Sequence, residues 1–192
     1  FIQQSGSKFY NEPNPSLLNE SEIFILINFP INNTPQNVLA MIAKELEKGK
    51  SLLFIAGNQT DYQKLKSLEQ YLPFNTASSS SQEFLASLDI GPQSLANPLL
   101  RVIGTDADAE LWTNLPPLFR TETFVRIKPE SDLVAGTKVN NVVLKEPMIL
   151  TREFQNKKSA AFLGYGLYRW KLLGYAQEIS KGREEVVDLF SV

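Results

Sequence analysis

The sequence contains no cysteine and no histidine. The first absence removes disulfides, thiolate metal sites and a Cys nucleophile together. The second removes the imidazole that serves most often as general base and as metal ligand near neutral pH. A Ser-His-Asp triad, a Cys-His pair and a metal centre built on nitrogen and sulfur are therefore excluded. Only hard oxygen donors remain, and these suit weakly held calcium or magnesium, so no high-affinity metal site and no cofactor are expected. No apolar run approaches the ~18 residues that a membrane-spanning helix needs. Basic charge is not in excess either. Lys and Arg number 19 against 21 for Asp and Glu, a net charge of −2 that argues against a surface tracking nucleic-acid phosphates.

What is present is ordinary globular material: 192 residues, 43% hydrophobic and 21% charged. That length suits one domain over residues 1–192, able to bury about 70% of the surface its unfolded chain exposes. The chain opens on Phe1 in the strand-like Phe1-Ile2-Gln3-Gln4. It closes in the helix-like Glu184-Glu185-Val186-Val187-Asp188-Leu189-Phe190. Both ends read as cuts through structure, and the chain as a piece of a longer one.

The clearest unit spans residues 23–57. Ile23-Phe24-Ile25-Leu26-Ile27-Asn28-Phe29 is a continuous apolar run, the pattern of a strand buried on both faces of a parallel sheet. Thr34 reads as an N-cap with Pro35 at the first helical position. Val38, Leu39, Ile42, Ala43 and Leu46 follow at helical spacing, Gly49 supplies the stop, and Leu52-Leu53-Phe54-Ile55-Ala56-Gly57 is a second strand. This is a β-α-β crossover whose strands should be parallel and both buried. Thr60 opens another helix, with Gln63 completing a capping box and Pro73 ending it. Ser78-Ser79-Ser80-Ser81 reads as a surface loop. Residues 82–145 hold short apolar runs broken by Pro, Asn and Gly, read as partly antiparallel strands added to the parallel core. Strands then return on either side of the turn-like Gln155-Asn156-Lys157-Lys158.

In a doubly wound sheet, ligands sit at the carboxyl ends of the strands. Two such ends are legible, Asn28-Phe29-Pro30 and Gly57-Asn58-Gln59-Thr60. The second offers amides and one hydroxyl, a set that binds an anion or simply turns and caps the chain, but supplies no strong base. Asp106-Ala107-Asp108-Ala109-Glu110 has carboxylate spacing suited to a cation or to acid/base work, or is a solvated turn feeding Leu111-Trp112. Ser5-Gly6-Ser7-Lys8 matches S-x-x-K without the helix or K-T-G that would give it meaning. Gly164-Tyr165-Gly166-Leu167-Tyr168-Arg169-Trp170 places two glycines after a strand. Its aromatics and Arg169 either stack on a ligand or close the core.

The order of these segments resembles the class I glutamine amidotransferase-like fold. The similarity is to the catalytically inactive version carried by large bacterial membrane-anchored proteins, often alongside von Willebrand factor A-type domains. Active members carry a Cys at the turn after the strand matching residues 52–57 and a His-Glu pair after a late strand. Here that turn holds Ala56, Gly57 and Asn58, and there is no His. The resemblance implies a fold without the activity: a flavodoxin-like (Rossmann-like), mostly parallel sheet with helices on both faces and a mixed insertion. It further implies an extracytoplasmic, periplasmic module. The function expected is a non-catalytic interaction or scaffold domain of a larger envelope protein. Its partners would be other domains of the same chain or envelope proteins, with no nucleic acid and no membrane span. The alternative is a degenerate enzyme fold that still binds a small ligand at Asn28, Asn58, Gln59, Thr60, Tyr165 and Arg169. A carboxylate-based hydrolase using Asp106, Asp108 or Glu110 is a third reading.

Overall fold

The computed structural model describes residues 2–91, 94–101, 107–172 and 176. A small antiparallel hairpin of β1 (Gln3–Ser5) and β2 (Lys8–Tyr10) leads into α1 (Pro15–Glu20), β3 (Ile23–Ile27), α2 (Gln36–Glu47) and β4 (Ser51–Ile55). A short α3 (Tyr62–Leu65) tightens into a 3₁₀ turn, Lys66–Tyr71, and the long β5 (Phe74–Asp89) follows. Two further 3₁₀ turns and α4 (Ala107–Thr113) precede β6 (Leu118–Ile127), β7 (Ser131–Val139), β8 (Val142–Phe154) and β9 (Lys157–Phe162). Residues 168–172 and 176 are helical.

Seven strands form one sheet in the order β3-β4-β9-β8-β7-β5-β6. Only β3–β4 and β4–β9 pair in parallel. The pairings β9–β8, β8–β7, β7–β5 and β5–β6 are antiparallel. The β3–α2–β4 crossover thus has the expected parallel strands in direct contact. The flavodoxin-like, Rossmann-like and doubly wound expectation fails beyond it. The segment taken as an insertion, residues 82–145, contributes most of the antiparallel half of the sheet.

The cause is local. Two tight turns, at Asn140-Asn141 (φ 46 and 67) and Gln155-Asn156 (φ 51 and 60), hold both central residues in the left-handed region. Such turns match the twist of antiparallel strands and fold β7, β8 and β9 back on one another as a meander. Parallel pairing survives only where a long connection intervenes. Ser78 to Ser81 are no loop: they lie within β5, at the irregular register between Ser79 and Glu83.

The expectation that β3 is buried on both faces is also overturned. Phe24 and Leu26 are buried, whereas Ile23, Ile25 and Ile27 are 59%, 58% and 59% exposed on an edge strand. A wholly apolar run does not distinguish a two-sided strand from a one-sided edge strand, because alternation is invisible when every residue is apolar.

Two apolar clusters hold the sheet. One joins Phe24 and Leu26 of β3 and Leu52 and Phe54 of β4 to Leu39, Ile42 and Leu46 of α2 and to Leu65, Leu68 and Leu72. Each such side chain contributes about 1.5–3 kcal/mol on burial. The other gathers Leu88, Leu115, Leu118, Met148 and Trp170, with Trp112 and Phe162 packed against it. Among the described residues no helix is long and apolar enough to cross a membrane.

Candidate functional site

The carboxyl ends of β3 and β4 open onto a cavity of about 620 Å³. Ile27, Asn28, Ile55 and the turn Ala56-Gly57-Asn58 form one wall, and Glu83, Phe119, Tyr165 and Tyr168 form the other. The first wall is built by a close contact. Asn28 adopts φ 50, and its Oδ1 accepts the backbone N–H of Gln59 at 2.9 Å. Asn tolerates this left-handed conformation better than most residues, since its short amide hydrogen-bonds locally. Gly57 lies directly against it: a Cβ there would stand 2.1 Å from Asn28 Oδ1. The two loop ends are thereby locked in register.

The second wall is tied to the first by long-range pairing. Phe119 at the start of β6 and Tyr165 exchange backbone hydrogen bonds of 3.1 and 2.8 Å. Their rings stack at 5.9 Å with 24° between planes. The Tyr165 hydroxyl donates to the Glu83 carboxylate of β5. Burial, followed by this bond to an acceptor that carries negative charge, pushes the Tyr165 phenol above its ordinary value. Among the described residues Glu83 is the one charged side chain in the lining.

The structure divides the six residues expected from sequence. Asn28, Asn58 and Tyr165 line the cavity. Gln59 serves the site through its backbone N–H, bonded to Asn28. Thr60 turns inward: its Oγ1 accepts the Gly57 N–H at 3.0 Å, and its own N–H returns to the Gly57 carbonyl at 3.2 Å. The cap of α3 is instead Asp61, whose Oδ1 accepts the N–H groups of Gln63 and Lys64 at 2.9 and 3.0 Å. The capping box at Thr60 and Gln63 is thus displaced by one residue. Thr34 likewise does not cap α2; its hydroxyl closes a turn from Ile31 N–H at 2.9 Å and donates to Gln4 at 2.7 Å. Arg169 leaves the crevice altogether. Its Nε donates to the Pro117 carbonyl at 3.0 Å, and its guanidinium lies 4.8 Å from the Phe119 ring centroid. It supports the wall from behind.

Glu83 and Phe119 were not expected. Glu83 meets Tyr165 across 82 residues of sequence. Such a meeting leaves no local pattern to read. The carboxylate run also resolves differently from either reading. Asp106 lies outside the described residues, and Asp108 and Glu110 fall in the first turn of α4, the former buried and the latter exposed. Ser5 and Lys8 belong to the β1–β2 hairpin. Among the described residues no group of three acidic side chains is placed to hold a metal.

No protein-family model and no curated protein matches the sequence. Solved structures do. The chain is similar to Cytoplasmic Protein STM1381 from Salmonella typhimurium LT2, at 14% identity and TM-score 0.52, over 87% of this chain and 70% of that one. It is similar to the mmIFT52 N-terminal domain at 11% identity and TM-score 0.50, over 88% and 80% of the two chains. Cytoplasmic Protein STM3548 from Salmonella typhimurium matches at 14% identity and TM-score 0.49, over 85% and 74%. These likenesses concern the fold alone. None of the names points to a glutamine amidotransferase, and none supports a periplasmic setting.

Proposed function

We propose that the chain is a non-catalytic interaction domain whose crevice at the carboxyl ends of β3 and β4 holds a small ligand. The observation that carries this reading is the cavity itself, about 620 Å³ and lined by aromatic rings, amides and one carboxylate. Its size and its mostly apolar lining with a few fixed polar groups suit a small organic molecule. The residues suit binding better than chemistry. The Thr60 hydroxyl is engaged by the Gly57 N–H, and the Tyr165 phenol is held protonated against Glu83. The turn Ala56-Gly57-Asn58 brings amides and no nucleophilic side chain to the cavity.

The lining also favours one ligand chemistry. With Arg169 bonded to Pro117 and Phe119, the crevice offers Glu83 as its charge, so carboxylates are disfavoured. A compact molecule with an aromatic or apolar face and a cationic or hydrogen-bond-donating group suits the wall of Phe119, Tyr165, Tyr168 and Glu83, with the Asn58 amide opposite. Thermal-shift and calorimetric screening of the whole chain against matched cationic, neutral and anionic aromatic compounds tests this. Cationic members should bind, and Glu83→Gln should weaken them about tenfold or more, consistent with a lost charge-assisted contact. Preference for the anionic members, or ester or amide hydrolysis abolished by Tyr165→Phe, would sink the reading.

A further inference from the structure

We infer, building on the crevice reading above, that the ligand is a neutral molecule of nucleoside type: an amino-bearing aromatic ring with a hydroxylated arm. The ring occupies the crevice, and the arm enters a second, smaller cavity beside it. This annex of about 180 Å³ is lined by Tyr62 of α3, by Ser79, Ser80 and Ser81 of β5 and by Thr121 of β6. At the ~30 Å³ that one water occupies in the liquid, it has room for about six waters or a small polyol. Asn58 lines both cavities. Glu83 of the first and Thr121 of the second are direct partners across β5 and β6. Side chains paired in this way stand on one face of a sheet, which makes the two cavities neighbours on that face.

Two independent features mark the annex as a built site. The first is the irregularity of β5. Ser79 pairs with Thr123 and Glu83 with Thr121, which leaves Ser80, Ser81 and Gln82 opposite the single Glu122. This bulge brings three successive serines to one cavity, where a regular strand would turn every second side chain to the opposite face. The second feature is Tyr62. It is 4% exposed and its hydroxyl makes no hydrogen bond within the chain, while the Thr121 and Thr123 hydroxyls beside it bond each other at 3.0 Å. An unpaired buried hydroxyl is destabilising, and a ligand hydroxyl in the annex satisfies it. Hydroxyls both donate and accept, so a wall of them suits an alcohol. Charge sets the limit. Asp61 lies in the annex and Glu83 in the crevice, and among the described residues neither lining includes Lys or Arg. These carboxylates repel a phosphate, so a nucleoside suits the pair of cavities and a nucleotide does not.

Calorimetry on the whole chain with adenine, adenosine and adenosine monophosphate tests this. Adenosine is expected to bind about tenfold or more tighter than adenine, and the monophosphate more weakly than adenosine. Tyr62→Phe removes the unpaired hydroxyl and keeps the ring that packs against Phe54, so the fold should hold. In that variant, and in Ser79→Ala combined with Ser81→Ala, adenosine should fall to the affinity of adenine, whose own binding should not change. Adenosine binding no tighter than adenine, the monophosphate binding tighter than adenosine, or equal losses for adenine and adenosine in both variants would overturn the inference. If the cationic aromatic compounds bind while adenine and adenosine do not, the nucleoside assignment falls and the crevice reading stands. If none of them binds, both fall.

Discussion

At the residue scale, the crevice depends on side chains that leave their neighbours no room. Gly57 faces Asn28 so closely that a single methyl group must displace it. Gly57→Ala is therefore expected to lower stability by about 1–3 kcal/mol through overpacking, and to open the Asn28–Gln59 bond, read by denaturant unfolding and by the Gln59 amide resonance. Tyr165 supplies a second test. Its phenol is raised by burial and by Glu83, and Tyr71 is pushed up to about 12, first by burial and then by Glu47. Ultraviolet titration should show tyrosines ionising later than the ordinary value of about 10, and Tyr165→Phe should remove one late component. Because the neutral phenols are favoured in the folded state, stability is fully present below pH ~10 and is lost as pH rises through the folded values. Among the described residues Arg120 is the largest fully buried side chain, and no sequence pattern marks it. It donates to Thr137 at 2.6 Å, to the Pro147 carbonyl at 2.5 Å and to the Thr123 carbonyl at 3.0 Å, tying β6 to β7 and β8. Arg120→Ala leaves those acceptors unpaired beside a cavity. A loss of about 3 kcal/mol or more is expected in urea unfolding, larger than for Arg169→Ala at the surface.

At the element scale, turns decide the topology. Gln155 occupies a left-handed position that costs an ordinary L-residue about 1–2 kcal/mol, and Asn tolerates it better. Gln155→Asn should thus raise stability by up to about 1 kcal/mol, whereas Gln155→Val should lower it by about 1–2 kcal/mol, with the difference visible in thermal unfolding. The helix starts illustrate a different point. A hydroxyl or carboxylate near an apolar stripe announces that a helix begins, but neighbouring candidates compete. Asp61 wins over Thr60 because Thr60 is already bonded to Gly57. Thr34 is removed from the cap of α2 by its contact with Gln4, 30 residues away. Apolar runs were legible as strands, but the side that each buries was not. In β3 the alternation that would have revealed an edge strand is hidden by isoleucine on the exposed face.

At the scale of the whole molecule, one charged cluster joins separate layers. Glu45 of α2 is buried between Lys48 at 2.7 Å and Lys50 at 2.8 Å. Lys50, leading into β4, also donates to the Leu18 and Asn19 carbonyls of α1 at 2.7 and 2.6 Å. The bond from Lys48, then that from Lys50, holds the Glu45 carboxyl below its ordinary value of 4.5. A depressed folded value means that this stabilisation is present above the unfolded value and lost as pH falls through the folded one. Urea unfolding at pH 7 and pH 3 should show Glu45→Gln losing less stability than the unaltered chain over that interval. By itself the sequence determined what is set by composition and by neighbours: no thiol or imidazole chemistry, the apolar runs of the strands, the β3–α2–β4 crossover and the turn at Gln155-Asn156. It also marked Asn28, Asn58 and Tyr165. The tertiary structure alone decided that antiparallel pairing dominates, that Glu83 and Phe119 complete the crevice, and that Arg169 turns out of it. These depend on which distant segments meet, and the free energy of such meetings comes from burial and hydrogen bonds shared between residues far apart in sequence, 82 positions for Glu83 and Tyr165, a separation over which periodicity and spacing carry no information.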